Sequence, residues 1–304
     1  LQKLLVIGSV NMDVVSNVKQ FPLPGETIHS SDMKFVPGGK GANQAVAAAR
    51  AGAPCVMIGA VGLDPFGDTL IASLSEKGVD AKSVLRKEGT SGIALITVSE
   101  EGENNIILSA GANGQITEED LASVVQWDGA CAVLLQNEIP WETTLAALRS
   151  AKEKGVRAFL NPAPARALPE ELFSLLDTLI VNETEAAVVT GVKVVDVETA
   201  ETAADWALAK GASSVIVTLG EQGCFYASAQ GARAAVSAFR VQPVDTTAAG
   251  DTFIGAYAAA SADGLATEEA LVFAAAAAAL AVTRHGAQSS IPDKAEIEAF
   301  LASR

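Results

Sequence analysis

Short apolar runs that do not alternate with polar residues, each separated from the next by a helical stretch, constrain the fold of this chain more than any other feature. Runs of strand type stand at Lys3–Val10, near Cys55–Ala60, and at Ala132–Gln136, Val156–Leu160, Leu179–Val181 and Ser214–Leu219. Ala42–Gly52, Phe66–Lys77, Trp141–Lys154 and Thr199–Lys210 carry helical patterns between them, and Gly52 suits a C-terminal cap. Strands apolar on both sides belong in a sheet covered on both sides. The pattern therefore predicts a doubly wound α/β fold, with a mostly parallel sheet and helices on both faces. Two segments break the rhythm. Val14–Val36 holds Pro22, Pro24 and Gly25, while Ser91–Ser109 holds two alternating runs, Ile93–Val98 and Asn105–Leu108, with a turn expected at Glu101–Gly102. They predict a small sheet of hairpin-type strands projecting beside the domain. Such a sheet cannot bury both faces alone, so it is expected to cover a cleft or to pair with another copy. No linker or low-complexity stretch separates the C-terminal half, so residues 1–304 read as one domain with two lid insertions, about 14–36 and 91–109.

Charge narrows the function. The 304 residues carry a formal net charge of −15, which repels polyanions and argues against nucleic acid and anionic membrane surfaces as partners. Ala270–Val282, the longest apolar run, falls short of the ~18 residues a membrane span needs. No basic region followed by an apolar stretch opens the chain, which predicts a cytoplasmic protein without a secretory signal. Cys55, Cys131 and Cys224 lie far apart in apolar surroundings and read as buried free thiols. His29 and His285 have no metal-ligand spacing, and no G-x-S-x-G elbow occurs, so zinc-enzyme and hydrolase readings lack support.

Two segments carry the chemistry. Val244–Phe253, V-D-T-T-A-A-G-D-T-F, runs into a helix of small residues. Free N–H groups at a helix start attract anions, and Asp251 in that first turn could take a proton from a hydroxyl during phosphoryl transfer. The plainer reading is that Asp251 only complements the helix dipole and Gly250 only eases a turn. Pro37–Ala45, P-G-G-K-G-A-N-Q-A, also opens a helix. It is no Walker loop, lacking G-K-[ST], and no dinucleotide fingerprint, because Gln44 fills the last glycine's place. Lys40 and Asn43 there suit a polyhydroxyl ligand, or else are a solvated lysine and a capping amide. Asn11 and Asp13 follow the first strand, Glu138 the strand ending at Gln136, and Asn182 with Glu185 the strand at Leu179–Val181. Thr218-Leu219-Gly220 closes another. Singly, each reads as a cap or surface group; jointly, they sit where open parallel sheets bind ligands, beyond the strands' carboxyl ends.

The glycine turn Gly38–Ala45, with Gly52 and Gly62, and the segment Asp245–Tyr257 resemble the two diagnostic motifs of the ribokinase/phosphofructokinase-B (pfkB) family of sugar kinases. The resemblance runs from Leu4 to near Leu301. N-M-D at 11–13, N-P-A-P at 161–164 and N-E-T-E at 182–185 place the chain closest to the branch acting on D-ribose. The resemblance implies ATP-dependent phosphorylation of the ribose 5-hydroxyl, with Asp251 as general base and Ala248, Ala249 and Gly250 as a backbone anion hole. It implies a sugar site built from Asn11, Met12, Asp13 and Glu138, with Gly39, Lys40, Gly41, Ala42 and Asn43 from the glycine turn. The nucleotide would meet Asn182, Thr218, Leu219, Gly220, Glu221, Gln222 and Gly223, beside Gly250, Asp251 and Ala275. Glu185 would organise Mg²⁺ through water. K⁺ would take Asp245, Thr247, Ala281, Arg284, Gly286 and Ser290, mostly through carbonyls. Ala275 departs from relatives with a polar residue near the adenine. The lid is implied to form a homodimer contact. A kinase for deoxyribose, another pentose or a nucleoside stays open, as does a non-catalytic sugar- or nucleotide-binding regulator, against which intact Asp251 and Gly250 argue.

Overall fold

Leu4, Leu5, Val6 and Ile7 are all buried, so the first strand, β1 (Lys3–Ile7), is apolar on both faces. The computed structural model describes residues 2–304. In chain order there follow β2 (Asn11–Val18), β3 (Asp32–Gly38), α1 (Lys40–Arg50), β4 (Cys55–Gly62), α2 (Pro65–Glu76), β5 (Asp80–Lys87), β6 (Gly92–Ser99) and β7 (Asn104–Ser109). The middle of the chain supplies α3 (Glu118–Val124), β8 (Ala130–Leu135), α4 (Trp141–Lys154), β9 (Arg157–Leu160), α5 (Glu170–Phe173), β10 (Thr178–Asn182), α6 (Glu183–Thr190) and α7 (Val197–Ala209). The last third adds β11 (Ser214–Thr218), β12 (Cys224–Ser228), β13 (Arg233–Val236), α8 (Ala249–Ala262), α9 (Thr267–Ala281) and α10 (Lys294–Ala302).

Nine strands form the main sheet in the order β13-β12-β11-β10-β9-β8-β1-β4-β5. Pairing is parallel from β11 to β5, and only the β11–β12 and β12–β13 pairings at one edge are antiparallel. The predicted doubly wound, mostly parallel sheet is therefore present. Leu4 and Val6 face a core shared with α1, α8 and α9, while Leu5 and Ile7 face a second core with α4, α6 and α7. The strand order reverses between β1 and β8. In such sheets a crevice opens at the strand ends beside the reversal, which puts the segment after Ile7 and the segment after Leu135 on its rim.

The second sheet has the order β3-β2-β6-β7. Its two outer pairings are antiparallel, and Gly102, at φ +83°, turns β6 into β7 as expected. The central β2–β6 pairing is parallel, which hairpin-type insertions do not predict. The cause is connectivity: β1 and β5 point the same way in the main sheet and each continues directly into the lid. The lid is also wider than residues 14–36 and 91–109 suggest, because β2 starts at Asn11 and β3 ends at Gly38. The expected strand Lys3–Val10 correspondingly stops at Ile7. Asn11 and Asp13 thus sit in the lid's first strand.

Close packing of α1 on α8 positions the site. A Cβ on Gly255 would lie 2.5 Å from the Ala47 Cβ and 2.5 Å from the Gln44 carbonyl oxygen. Glycine and alanine here let two helix axes approach until their N-termini lie side by side. Among the described residues, no helix is long and apolar enough to cross a membrane.

Candidate active site

The glycine turn delivers α1 against the β1–β2 connection. Gly39 has φ +92°, and a Cβ on Gly41 would lie 2.6 Å from the Ser9 nitrogen. With no side chain there, Ala42 N–H donates to the Ser9 carbonyl at 2.9 Å and Gly41 N–H to Ser9 Oγ at 3.3 Å. Glu138 secures the same junction: its Oε2 accepts from Ser9 Oγ at 2.5 Å and from Lys40 N–H at 3.1 Å.

The start of α8 is built differently. Ala248 is left-handed at φ +59°, the only non-glycine at positive φ among the described residues. That conformation costs about 1–3 kcal/mol without a glycine and persists where structure around it demands it. It turns successive N–H groups toward one point. The N–H groups of Ala248 and Gly250 find no acceptor among the described residues, whereas Ala249 N–H donates to the Thr246 carbonyl at 3.2 Å. The implied three-residue anion hole is therefore reduced here to two open donors.

Asp251, in the first turn of α8, is 8% exposed. Asn43 Nδ2 donates to its Oδ2 and Gln44 Nε2 to its Oδ1, each at 3.0 Å. Beside it a cleft of about 190 Å³ is lined by Lys40, Asn182, Glu185, Thr218, Thr246 and the Ala248–Asp251 turn. The Lys40 ammonium is held above its ordinary range chiefly by the Asp251 charge, which outweighs burial. It stands on the boundary between the residues expected to meet sugar and those expected to meet nucleotide.

Carboxylates on the rim respond to burial. Asp13 is pushed from 3.8 up to about 7, first by burial and then by the charges of Glu138 and Asp251. Burial likewise raises Glu138 and Glu185. Folded, Asp13 keeps its proton to about pH 7; unfolded, it releases it near pH 3.8. The folded state binds more protons between those values, so stability falls as pH rises through that window. At pH 8 the cost is up to about 4 kcal/mol. Asp13→Asn is accordingly expected to raise the Tm by several degrees at pH 8 and to leave it nearly unchanged at pH 4, checked by calorimetry at both pH values. Equal shifts at the two would overturn this assignment.

Asn182 and Glu185 form a capping box on α6. Asn182 Oδ1 accepts from Glu185 N–H at 2.8 Å, and Glu185 Oε2 accepts from Asn182 N–H at 3.0 Å and Asn161 Nδ2 at 2.9 Å. The plain capping role is real, yet Glu185 Oε1 has no hydrogen bond among the described residues and the carboxylate lines the cleft. An acidic oxygen free at a polar cleft fits a water-held Mg²⁺. Just before the start of α8, Asp245 Oδ1 accepts from Thr247 N–H at 2.9 Å and Oδ2 from Gly286 N–H at 2.8 Å. Burial raises Asp245, but these bonds outweigh it and hold the group below its usual range. The Arg284 guanidinium turns away to Glu296 at 2.6 Å, leaving only its backbone for a cation. Ser290 Oγ donates to Ala287 O at 2.7 Å, and the Ala281 carbonyl accepts from Arg284 N–H at 3.1 Å. Asp245, Thr247 and Gly286 are thus gathered, with the Asp245 carboxylate met by two backbone N–H groups.

Other expected residues stand apart. Met12 and Ala42 are core side chains, and Gly41 acts by its lack of one. Leu219 is 2% exposed, and Gly220, Glu221, Gln222 and Gly223 form a tight turn beyond the cleft's edge at Thr218. Ala275 is buried in the core beneath α8, not in the cleft. Residues missed by the motif reading are Ser9, Gln44, Asn113, Asn161 and Thr246. Asn113 fixes Asn11, donating from Nδ2 to Asn11 Oδ1 at 2.7 Å while its own Oδ1 accepts from Val10 N–H at 2.9 Å. A lone Asn in a loop gives no signal for this; Asn161 had one, in N-P-A-P at the end of β9.

The pfkB family carbohydrate kinase model matches residues 1–294. A ribokinase of Haemophilus influenzae is 42% identical over 304 residues, covering 98% of each chain. A deoxyribokinase of Salmonella typhi is 36% identical over 302 residues, again with 98% of each covered. The structure of Arabidopsis thaliana ribokinase complexed with ribose and ATP superposes with a TM-score of 0.92 at 33% identity, covering 99% of this chain and 98% of that one.

Proposed function

The chain belongs to the pfkB family of carbohydrate kinases, and from that premise we propose that it phosphorylates the 5-hydroxyl of D-ribose with ATP. One observation carries the chemistry: a buried carboxylate, Asp251, sits in the first turn of a helix beside two open backbone N–H groups. Asp251 takes the proton of the 5-hydroxyl as its oxygen bonds to the γ-phosphorus, and the bond to the β-phosphate oxygen breaks to leave ADP. Ala248 and Gly250 N–H groups meet the negative charge on the transferring group, and Lys40 meets the phosphates from the sugar side. Glu185 would hold Mg²⁺ through water, which when bound neutralises phosphate charge. Asn11, Asp13, Asn43 and Glu138 hold the sugar hydroxyls.

ATP-dependent release of ADP, measured across D-ribose, 2-deoxy-D-ribose, other pentoses and nucleosides, tests the activity. The deoxyribokinase relative keeps deoxyribose as the second reading. Three free cysteines and an acidic surface support a cytoplasmic enzyme with small-molecule partners and no nucleic-acid or membrane partner. Exposed Met33, Phe35 and Ile107 on the lid support a second copy of this chain as its partner.

K⁺ is read at Asp245, Thr247 and the turn 284–290. The backbone there continues into the Ala248 turn, so a cation would act by holding the anion hole in place. Turnover is expected to rise roughly 10-fold when K⁺ replaces an organic cation, with Na⁺ poorer. Equal rates in rigorously K⁺-free buffer would refute this site.

A further inference from the structure

Gln44 occupies a motif position that none of the roles above uses. It is fully buried at 0% exposure and lies between the two carboxylates of the site. Its Nε2 is 3.0 Å from Asp251 Oδ1 and 3.4 Å from Asn161 Oδ1. Its Oε1 accepts from Gln136 Nε2 at 2.6 Å. Asn161 Nδ2 in turn donates to Glu185 Oε2 at 2.9 Å and to the Ile180 carbonyl at 3.1 Å.

The orientation of every amide in this chain follows from its ends. An ionised carboxylate only accepts, so Gln44 must turn its NH₂ group toward Asp251. Its oxygen then faces the other way and needs a donor, which is Gln136 Nε2. That choice leaves Gln136 Oε1 buried without a partner among the described residues, beside Gly8. A buried acceptor left unsatisfied is costly and marks a constraint imposed from elsewhere. From the other end, Glu185 fixes Asn161 in the same way, and the two ends meet at Gln44.

We infer that Gln44 is a positioning residue for the base: locked by Gln136, it fixes the Asp251 carboxylate and ties it through Asn161 to Glu185. Asn43, on the neighbouring position, differs in kind. Its Oδ1 is buried and unpartnered among the described residues, so that side chain has capacity left for a ligand. Gln44 has none and stays with the base throughout. The other charged groups facing Asp251 are Lys40 at the start of α1, Asp13 on β2, Glu138 after β8 and Glu185 on α6, and none of them hydrogen-bonds to it. The inference rests on Asp251 as the base.

Gln44→Met keeps length and removes the donor. It is expected to lower kcat about 10–100-fold with the KM for D-ribose changed about 3-fold or less. The acid limb of the kcat–pH profile should move up, because the charged form of the base has lost a donor. Gln136→Leu touches neither Asp251 nor α8, yet it frees Gln44 to rotate; kcat should fall about 3–10-fold and the limb should move the same way. The double variant should be no worse than Gln44→Met alone, since one relay is already broken. A lower Tm with an unmoved acid limb, or additive losses in the cycle, would overturn the inference. If Gln44→Met does not fold, Gln136→Leu decides alone by its limb. Asp251→Asn, assayed in parallel, separates the two readings. Its retention of turnover would remove the base itself, whereas its loss beside unimpaired Gln44 and Gln136 variants would remove only the positioning role.

Discussion

Asp251→Asn is expected to lower turnover by about 10²–10⁴-fold, the range for loss of a general base, with D-ribose and ATP still bound. The carboxylate accepts from two amides, Asn43 on one oxygen and Gln44 on the other, both at 3.0 Å. An asparagine there offers only one acceptor, so its own NH₂ group must face one of those donors. Gln44 is held by Gln136 and cannot turn; Asn43, with an unpartnered oxygen, can. The expected outcome is a variant with its amide oxygen toward Gln44 and a rotated Asn43, folded but without a group able to take the hydroxyl proton. Sugar affinity then drops only by what Asn43 loses. Single-turnover kinetics, with binding followed by calorimetry, checks both halves. Retention of more than a tenth of wild-type turnover in the chemical step would remove Asp251 from its role.

The parallel sheet was readable because strands such as Leu179–Val181 and Ser214–Leu219 are apolar on both faces, a pattern that only a doubly covered sheet explains. The edge strands β12 and β13 were not, since antiparallel pairing at an edge leaves no distinct periodicity in so short a segment. The parallel β2–β6 pairing was equally silent, because it follows from how β1 and β5 are placed in space rather than from either sequence. Within the site, the residues expected to meet ligand were legible from their position after strands: Asn11, Asp13, Glu138 and Glu185 each follow a strand of the main sheet. The supporting amides did not. Gln44 and Asn113 act through partners more than 100 residues away, and nothing in a local pattern distinguishes such an amide from a helix cap; Asn161, in N-P-A-P, acts on Glu185 in the first turn of α6. Ala275, a position carried over by resemblance, is buried in the core beside α8.

D-ribose is expected to exceed 2-deoxy-D-ribose in kcat/KM by about 10–10³-fold. The expectation rests on two side chains on one strand of the lid. Asn11 Oδ1 already accepts from Asn113 at 2.7 Å, so the group it has left to offer is its NH₂. Asp13, raised to about 7 by burial, presents an acceptor when ionised and a donor when protonated. A donor and an adjustable acceptor two residues apart point the same way from β2 and match a pair of neighbouring hydroxyls. Removing one hydroxyl leaves a buried group unpaired once the lid closes, and a charged one suffers more than a neutral one. Full discrimination of ~10⁴-fold is not expected, because a water can take the place of the missing oxygen and restore part of the bond. Asp13→Ala should narrow the preference by harming the ribose reaction rather than by improving the other. Competition of both sugars in one reaction, read as the ratio of the two phosphorylated products, measures the preference directly. A ratio favouring deoxyribose would make the second reading the correct one, and a ratio unchanged by Asp13→Ala would take Asp13 out of sugar recognition.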